Sequence, residues 1–240
     1  MSIKEFPDVP KIIWQTHNYK YEDLSDHLKK ATRTWINLNP GWEYRYVNDQ
    51  ERDQWILKNY PNLYQSYMKV QHPKIVTEHF QPYNRGMMQA DIWRMLVTYE
   101  YGGVYADMDS YCKTPIDYAL KDIEGDYDSF VENPFLDPNG TLSINNANFT
   151  VIKNSNTLKD AMDNTFNEIF ISINQDNVSN WLTPHDSFGQ SMLNSKTSNK
   201  NFRISYHSKD FKDSFQYLDV DYYGQKINYK ELLKELNLEV

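Results

Sequence analysis

The 240-residue chain is 40% hydrophobic and 15% aromatic, enough to build a core and too aromatic for a disordered chain, so a single domain over residues 1–240 is expected. Its formal net charge of −8, with no run in which Lys and Arg mix with aromatics, argues against a nucleic-acid partner; a phosphorylated ligand would need local cations, a helix N-terminus or a metal. MSIKEFPDVPKIIWQTH has no apolar signal core, no run of about 18 apolar residues occurs, and Cys112 is the one cysteine, which together suggest a cytoplasmic protein with no transmembrane segment and no disulfide framework.

In chain order, Pro10 opens KIIWQTH, an apolar run with β-branched residues that reads as a first, central strand. Behind Asp23 and Ser25 as caps, Leu24, Leu28, Ala31, Trp35 and Leu38 recur at helical spacing. NPGW turns the chain, EYRYVND (43–49) alternates like a strand, and DQERDQWILKNY reads as a helix stopped by Pro61. Strand, helix, strand, helix with short links predicts an α/β layer fold.

The segment QADIWRMLVTYEY (89–101) predicts a helix with Ile92, Met95, Leu96 and Tyr99 as its apolar stripe, capped by Gly102 and Gly103. A strand then places Val104, Ala106 and Met108 on one side and Tyr105, Asp107 and Asp109 on the other. DYDSFVE (126–132), NANFTVI (146–152) and FRISYH (202–207) read as further strands, 156–171 as a helix, and KELLKELNL (230–238) as a terminal amphipathic helix. Asp126 and Asp128 are taken as a strand edge rather than a second acidic motif.

Open α/β sheets bind ligands beyond the carboxyl ends of their strands, where this reading puts Asp107 and Asp109. Two like charges on one face repel unless a cation lies near them, and oxygen-only ligands suit Mg2+ or Mn2+. On the preceding helix Asp91, Arg94 and Thr98 share the face opposite the apolar stripe. They read either as a solvated ion pair or as one cation and one carboxylate carried to the same crevice.

The run Ala90-Asp91-x-x-Arg94, then Tyr101-Gly102-Gly103-Val104-Tyr105-x-Asp107-x-Asp109, resembles the core motif of glycosyltransferase family 32, and Pro10-Lys11-Ile12-Ile13 resembles the opening strand of that family. The resemblance implies a GT-A fold, that is, a Rossmann-like mixed central sheet flanked by helices. It further implies transfer of a sugar from a nucleotide-diphosphate donor, UDP-sugar before GDP-sugar, to a glycan or other hydroxyl acceptor with retention of configuration. Asp91, Arg94, Asp107 and Asp109 would form the catalytic set. Asp109 would ligate Mn2+ or Mg2+ directly and Asp107 would contact ribose, sugar or metal through water, with His207 a late metal ligand. Asp91 and Arg94 would hold the sugar hydroxyls and phosphate side, Tyr105 would pack near the donor, Trp14 would stack on the base, and Gln15 and Asn146 would complete the donor site.

Two rivals remain at this level. A haloacid-dehalogenase-type phosphatase would use Asp107 as nucleophile and Asp109 as acid/base partner, although Gly125-Asp126-Tyr127-Asp128 lacks the spacing of its second motif. A sugar-binding module that has lost its chemistry would keep the same four residues without turnover.

Overall fold

The computed structural model describes residues 9–68, 85–120, 128–131, 134–136, 142–144, 146–173, 188, 202–204 and 215–217. The chain runs β1 (Ile12–His17), α1 (Asp26–Leu38), β2 (Glu43–Asn48), α2 (Asp49–Asn59), α3 (Pro61–Met68), α4 (Arg85–Tyr101), β3 (Gly103–Ala106), β4 (Ser110–Cys112) and α5 (Ile116–Leu120). It continues with β5 (Ser129–Val131), β6 (Pro134–Leu136), β7 (Leu142–Ile144), β8 (Asn148–Val151), α6 (Asn156–Ile173), β9 (Phe202–Ile204) and β10 (Phe215–Tyr217).

Six strands form a mixed sheet in the order β2-β1-β3-β8-β5-β9. β1 runs parallel to β2 and β3, with Trp14 opposite Tyr105, whereas β8 runs antiparallel to both β3 and β5. Alternation along the strands sends successive side chains into two apolar layers. Ile13, Val104 and Ala106 pack with Trp35 of α1 and Ile116 of α5 on one face. Trp14, Tyr105 and Phe149 pack with Ile56 of α2, Ile92 and Leu96 of α4, and Leu158 of α6 on the other. Helices on both faces of a mostly parallel half-sheet bury strands from both sides, which is why four consecutive residues of β1, Ile13 to Thr16, are buried.

Local signals account for most element ends. Ser25 Oγ accepts from Leu28 N at 3.4 Å to cap α1, and Asn48 and Glu51 form a reciprocal capping box on α2. At α6, Ser155 Oγ accepts from Leu158 N at 3.0 Å, and the buried Asp128 carboxylate accepts from Thr157 N at 3.1 Å from across the chain. A carboxylate against the first turn of a long helix is favoured by its dipole. Asp128, expected only as a strand edge, is therefore a remote helix cap. Gly102 and Gly103 join α4 to β3 with φ of +70° and +104°, and a Cβ on Gly103 would stand 2.4 Å from Ile12 O. Only glycine permits this entry at the point where β3 slides in beside β1.

Three expectations change. Pro61 does not merely stop α2; it is the first residue of α3, where its missing N–H costs nothing. Helix α4 starts four residues before Gln89, and its polar face is not solvated, since Asp91, Arg94 and Thr98 are all buried. Strand β3 ends at Ala106, so Asp107 and Asp109 lie on a turn and do not extend the alternation of a strand. Elements β4, α5, the β6–β7 pair and β10 were not expected, while the expected helix at 230–238 lies outside the described residues. Among the described residues no helix is long and apolar enough to cross a membrane.

Candidate active site

The Asp-x-Asp turn follows directly from how β3 ends. Asp107 N donates to Ala147 O at 2.8 Å, and Ser110 N returns to Asp107 O at 3.1 Å, closing a tight turn before β4 leaves to pair with β10. The turn stands at the carboxyl end of β3, beside the carboxyl ends of β1 and β2, where an α/β sheet opens its crevice.

Behind the turn lies a buried polar network. Arg94 Nη2 lies 2.9 Å from Asp91 Oδ1 and 3.2 Å from Asp107 Oδ1, and its Nη1 donates to Asn146 O at 2.8 Å and to Asn146 Oδ1 at 3.1 Å. Asn146 Nδ2 in turn donates to Asp91 Oδ1 at 3.0 Å. The guanidinium sits 4.4 Å above the Tyr105 ring, and the Tyr105 hydroxyl donates to Asp107 Oδ1 at 2.7 Å. Phe149 stacks beneath Tyr105 with ring centroids 5.7 Å apart. One guanidinium thus serves two carboxylates and an asparagine in a dry environment, a task for which its planar fork is suited and a lysine is not. The reading of Asp91 and Arg94 as a solvated pair is set aside by their 5% and 6% exposure.

The two carboxylates of the turn differ. Asp107 is 29% exposed at its side chain and has Oδ1 held by Tyr105 and Arg94, whereas Asp109 is exposed. Burial raises the Asp107 carboxyl to about 6; Arg94 opposes the rise and the Asp109 charge adds to it. Asp109 is raised as well, chiefly by partial loss of water, with Arg94 acting against the shift. Two carboxylates that resist ionising side by side gain most from a nearby cation. Among the described residues no group of three or more His, Cys, Asp or Glu could hold a metal, and the turn itself offers two carboxylates of hard oxygen. That donor set fits Mg2+ or Mn2+, which keep water and take phosphate oxygens for their remaining positions.

The structure brings Asp91, Arg94, Tyr105, Asp107, Asp109 and Asn146 together around one turn, and corrects two expectations, those for Trp14 and Gln15. Trp14 is buried in the core, 6.0 Å edge-on to Trp93, with Nε1 donating to Gly102 O at 2.9 Å at the opposite end of β3, so its ring is turned away from the crevice and cannot stack on a base there. Gln15 is wholly buried and bonds to protein, with Nε2 donating to Asp107 O at 3.1 Å. Thr98 returns its hydroxyl to Arg94 O at 2.6 Å and lies apart from the turn. His207 lies outside the described residues. Ser110, whose Oγ donates to Asp107 O at 2.6 Å, also closes the turn, and its sequence signal is a hydroxyl residue directly after the acidic pair.

Residues 25–130 match the glycosyltransferase sugar-binding region containing a DXD motif. This region resembles the DXD glycosyltransferase family over 106 of the 240 residues. Inositol phosphoceramide mannosyltransferase 2 of Schizosaccharomyces pombe is 32% identical over 114 residues, 48% of this chain and 29% of its own length. Mannosyl phosphorylinositol ceramide synthase SUR1 of Saccharomyces cerevisiae is 30% identical over 112 residues, 47% of this chain and 25% of its own. The chain therefore spans under a third of the length of these curated relatives. Among solved structures, the PaToxG glycosyltransferase superposes with a TM-score of 0.51 at 16% identity, covering 79% of this chain and 75% of the other. The ligand-free glycosyltransferase domain of the YGT toxin gives 0.50 at 8% identity, covering 85% and 81%. These likenesses show the GT-A fold, a mixed sheet flanked by helices.

Proposed function

We propose that the protein is a glycosyltransferase that moves a hexose from a nucleoside-diphosphate sugar to a hydroxyl of a glycan or lipid headgroup, with a divalent cation at Asp107 and Asp109. The observation that carries this reading is the buried Asp91–Arg94–Asn146–Asp107 network standing behind an exposed Asp109 at the carboxyl ends of parallel strands. The mannosyltransferase names of the relatives favour mannose as the sugar.

The residues divide the work. Arg94, fixed by four contacts, keeps the Asp107 and Asp91 carboxylates in place and lowers the cost of their charge. Tyr105 holds Asp107 Oδ1, so Oδ2 of Asp107 and the carboxylate of Asp109 are the oxygens that would hold the cation. When bound, Mn2+ or Mg2+ supplies the positive charge that a departing nucleoside diphosphate needs. Asp91, beside Asn146, would accept from donor hydroxyls at the edge of the network. Retention of configuration would accord with a site in which, among the described residues, no isolated carboxylate stands as a general base.

The test is thermal melting against UDP, GDP, UDP-glucose and GDP-mannose, each with and without Mn2+, for the wild type and Asp109→Asn. At about 100 times its dissociation constant a ligand adds about 2.7 kcal/mol of stability. A cation-dependent rise with one nucleotide, lost in the variant, is expected, followed by release of that nucleotide on incubation with acceptor. A rise without release points to the binding module. No rise with any nucleotide refutes the donor-site reading.

A further inference from the structure

We infer that Gln15, steadied by Tyr44, is a positioning residue that holds the Asp-x-Asp turn in its cation-binding shape. The inference rests on the donor-site reading above and concerns a residue that touches neither sugar nor cation.

Gln15 has no exposed surface, and its neighbours on that face of the sheet, Ile13, Val104, Ala106 and Trp35, are apolar. A primary amide is a poor choice for such a place unless both its ends are satisfied. Both are. The Asp107 carbonyl can only accept, so the amide nitrogen must face it, at 3.1 Å. Oε1 is then left to Tyr44, whose hydroxyl donates at 3.0 Å. Since Tyr44 lies near the start of β2, Gln15 in the middle of β1 and Asp107 directly after β3, these two hydrogen bonds link three adjacent strands in a line that ends at the turn.

The carbonyl they reach is the hinge of the turn. Asp107 O accepts from Gln15 Nε2, from Ser110 N at 3.1 Å and from Ser110 Oγ at 2.6 Å, while Asp107 N is held by Ala147 O at 2.8 Å. Ser110 donors come from within the turn and travel with it, whereas Gln15 reaches the Asp107 carbonyl from a neighbouring strand; Asp107 N to Ala147 O and Trp35 Nε1 to Ser110 O, at 2.8 Å each, tie the turn at other atoms. Asp107 and Asp109 share a three-residue turn, so rotation of the Asp107 peptide would change the spacing of their carboxylates. Gln15 opposes that rotation before any ligand arrives, so less of the binding energy goes into ordering the site.

The experiment compares the wild type, Gln15→Met, Gln15→Glu and Tyr44→Phe. Methionine keeps the length without the donor, and glutamate keeps the shape but faces the carbonyl with an acceptor. Mn2+ binding in the presence of UDP or GDP is measured by titration well below each melting temperature, and amide exchange of the segment 105–112 is measured without metal. Expected in Gln15→Met is a loss of about tenfold in Mn2+·nucleotide affinity, or ~1.4 kcal/mol, with faster exchange at 107–110. Gln15→Glu loses at least as much, and Tyr44→Phe shifts both readouts in the same direction by less. A purely structural role would lower the melting temperature and leave the affinity of the folded protein unchanged. Wild-type binding matched by Gln15→Met, or unchanged exchange at 107–110, overturns the role of Gln15 alone. A wild type that binds no nucleoside diphosphate overturns the donor-site reading, and this role with it.

Discussion

Replacing Arg94 by methionine tests the centre of the site. The substitution keeps an unbranched side chain of similar reach and removes the positive charge from between Asp91 and Asp107, which lie 2.9 and 3.2 Å from Nη2. It also strands Asn146, whose carbonyl and side-chain oxygens accept from Nη1 at 2.8 and 3.1 Å. Removing one partner of a buried ion pair costs about 3–5 kcal/mol because the remaining charge is left without compensation. Asp107 is still 29% exposed and recovers some water, which places the expected loss at the lower end, about 3 kcal/mol. For a chain of this size that is a fall in Tm of about 6–12 °C. The sign of its pH dependence is set by Asp107. Burial raises that carboxyl to about 6, so its ionisation already costs stability as pH rises from about 4 to 6, and Arg94 limits the cost. Without Arg94 the cost grows, so the gap in Tm between wild type and variant should be wider at pH 7.5 than at pH 4.5. Arg94→Lys keeps the charge but not the fork, and should fall between the two. Equal melting of wild type and Arg94→Met, or a gap that does not change between these two pH values, would refute the account of the network.

Cation binding has the opposite pH trend to metal-free stability. Asp107 must lose its proton to ligate, so Mn2+ affinity measured by titration should fall about tenfold per pH unit below 6 and level off above it; a flat profile from pH 5 to 7.5 would contradict the raised carboxyl. Gly103→Ala puts a methyl 2.4 Å from Ile12 O at a φ of +104°, and a loss of at least ~1–3 kcal/mol is expected in urea unfolding; an unchanged midpoint would show that the β1–β3 junction is looser than described.

Much of the fold was legible because its signals are local. The 3.6-residue spacing of Ala31 and Trp35, the cap at Ser25 and the glycine pair after α4 each report a neighbourhood of a few residues, and each element formed where those signals stand. Pro61 was misread because a proline that cannot continue one helix is equally suited to begin the next. Segments of three residues, such as β4 and β10, carry too little periodicity to be seen and exist because another strand pairs with them.

The Asp-x-Asp pair, Asp91 and Arg94 were also visible in the sequence, as residue types at a spacing that resembles a family motif. What each side chain does was decided elsewhere. Arg94 meets Asn146 from 52 positions away, and Gln15 meets Asp107 from 92. Whether a buried polar group is satisfied depends on partners that only folding brings near, and the same holds for the direction of a ring such as Trp14, whose indole N–H finds Gly102 O at the far end of β3. Local pattern decided which residues form strand, helix and acidic turn; the long-range hydrogen bonds decided which of them face the ligand and which hold the others still.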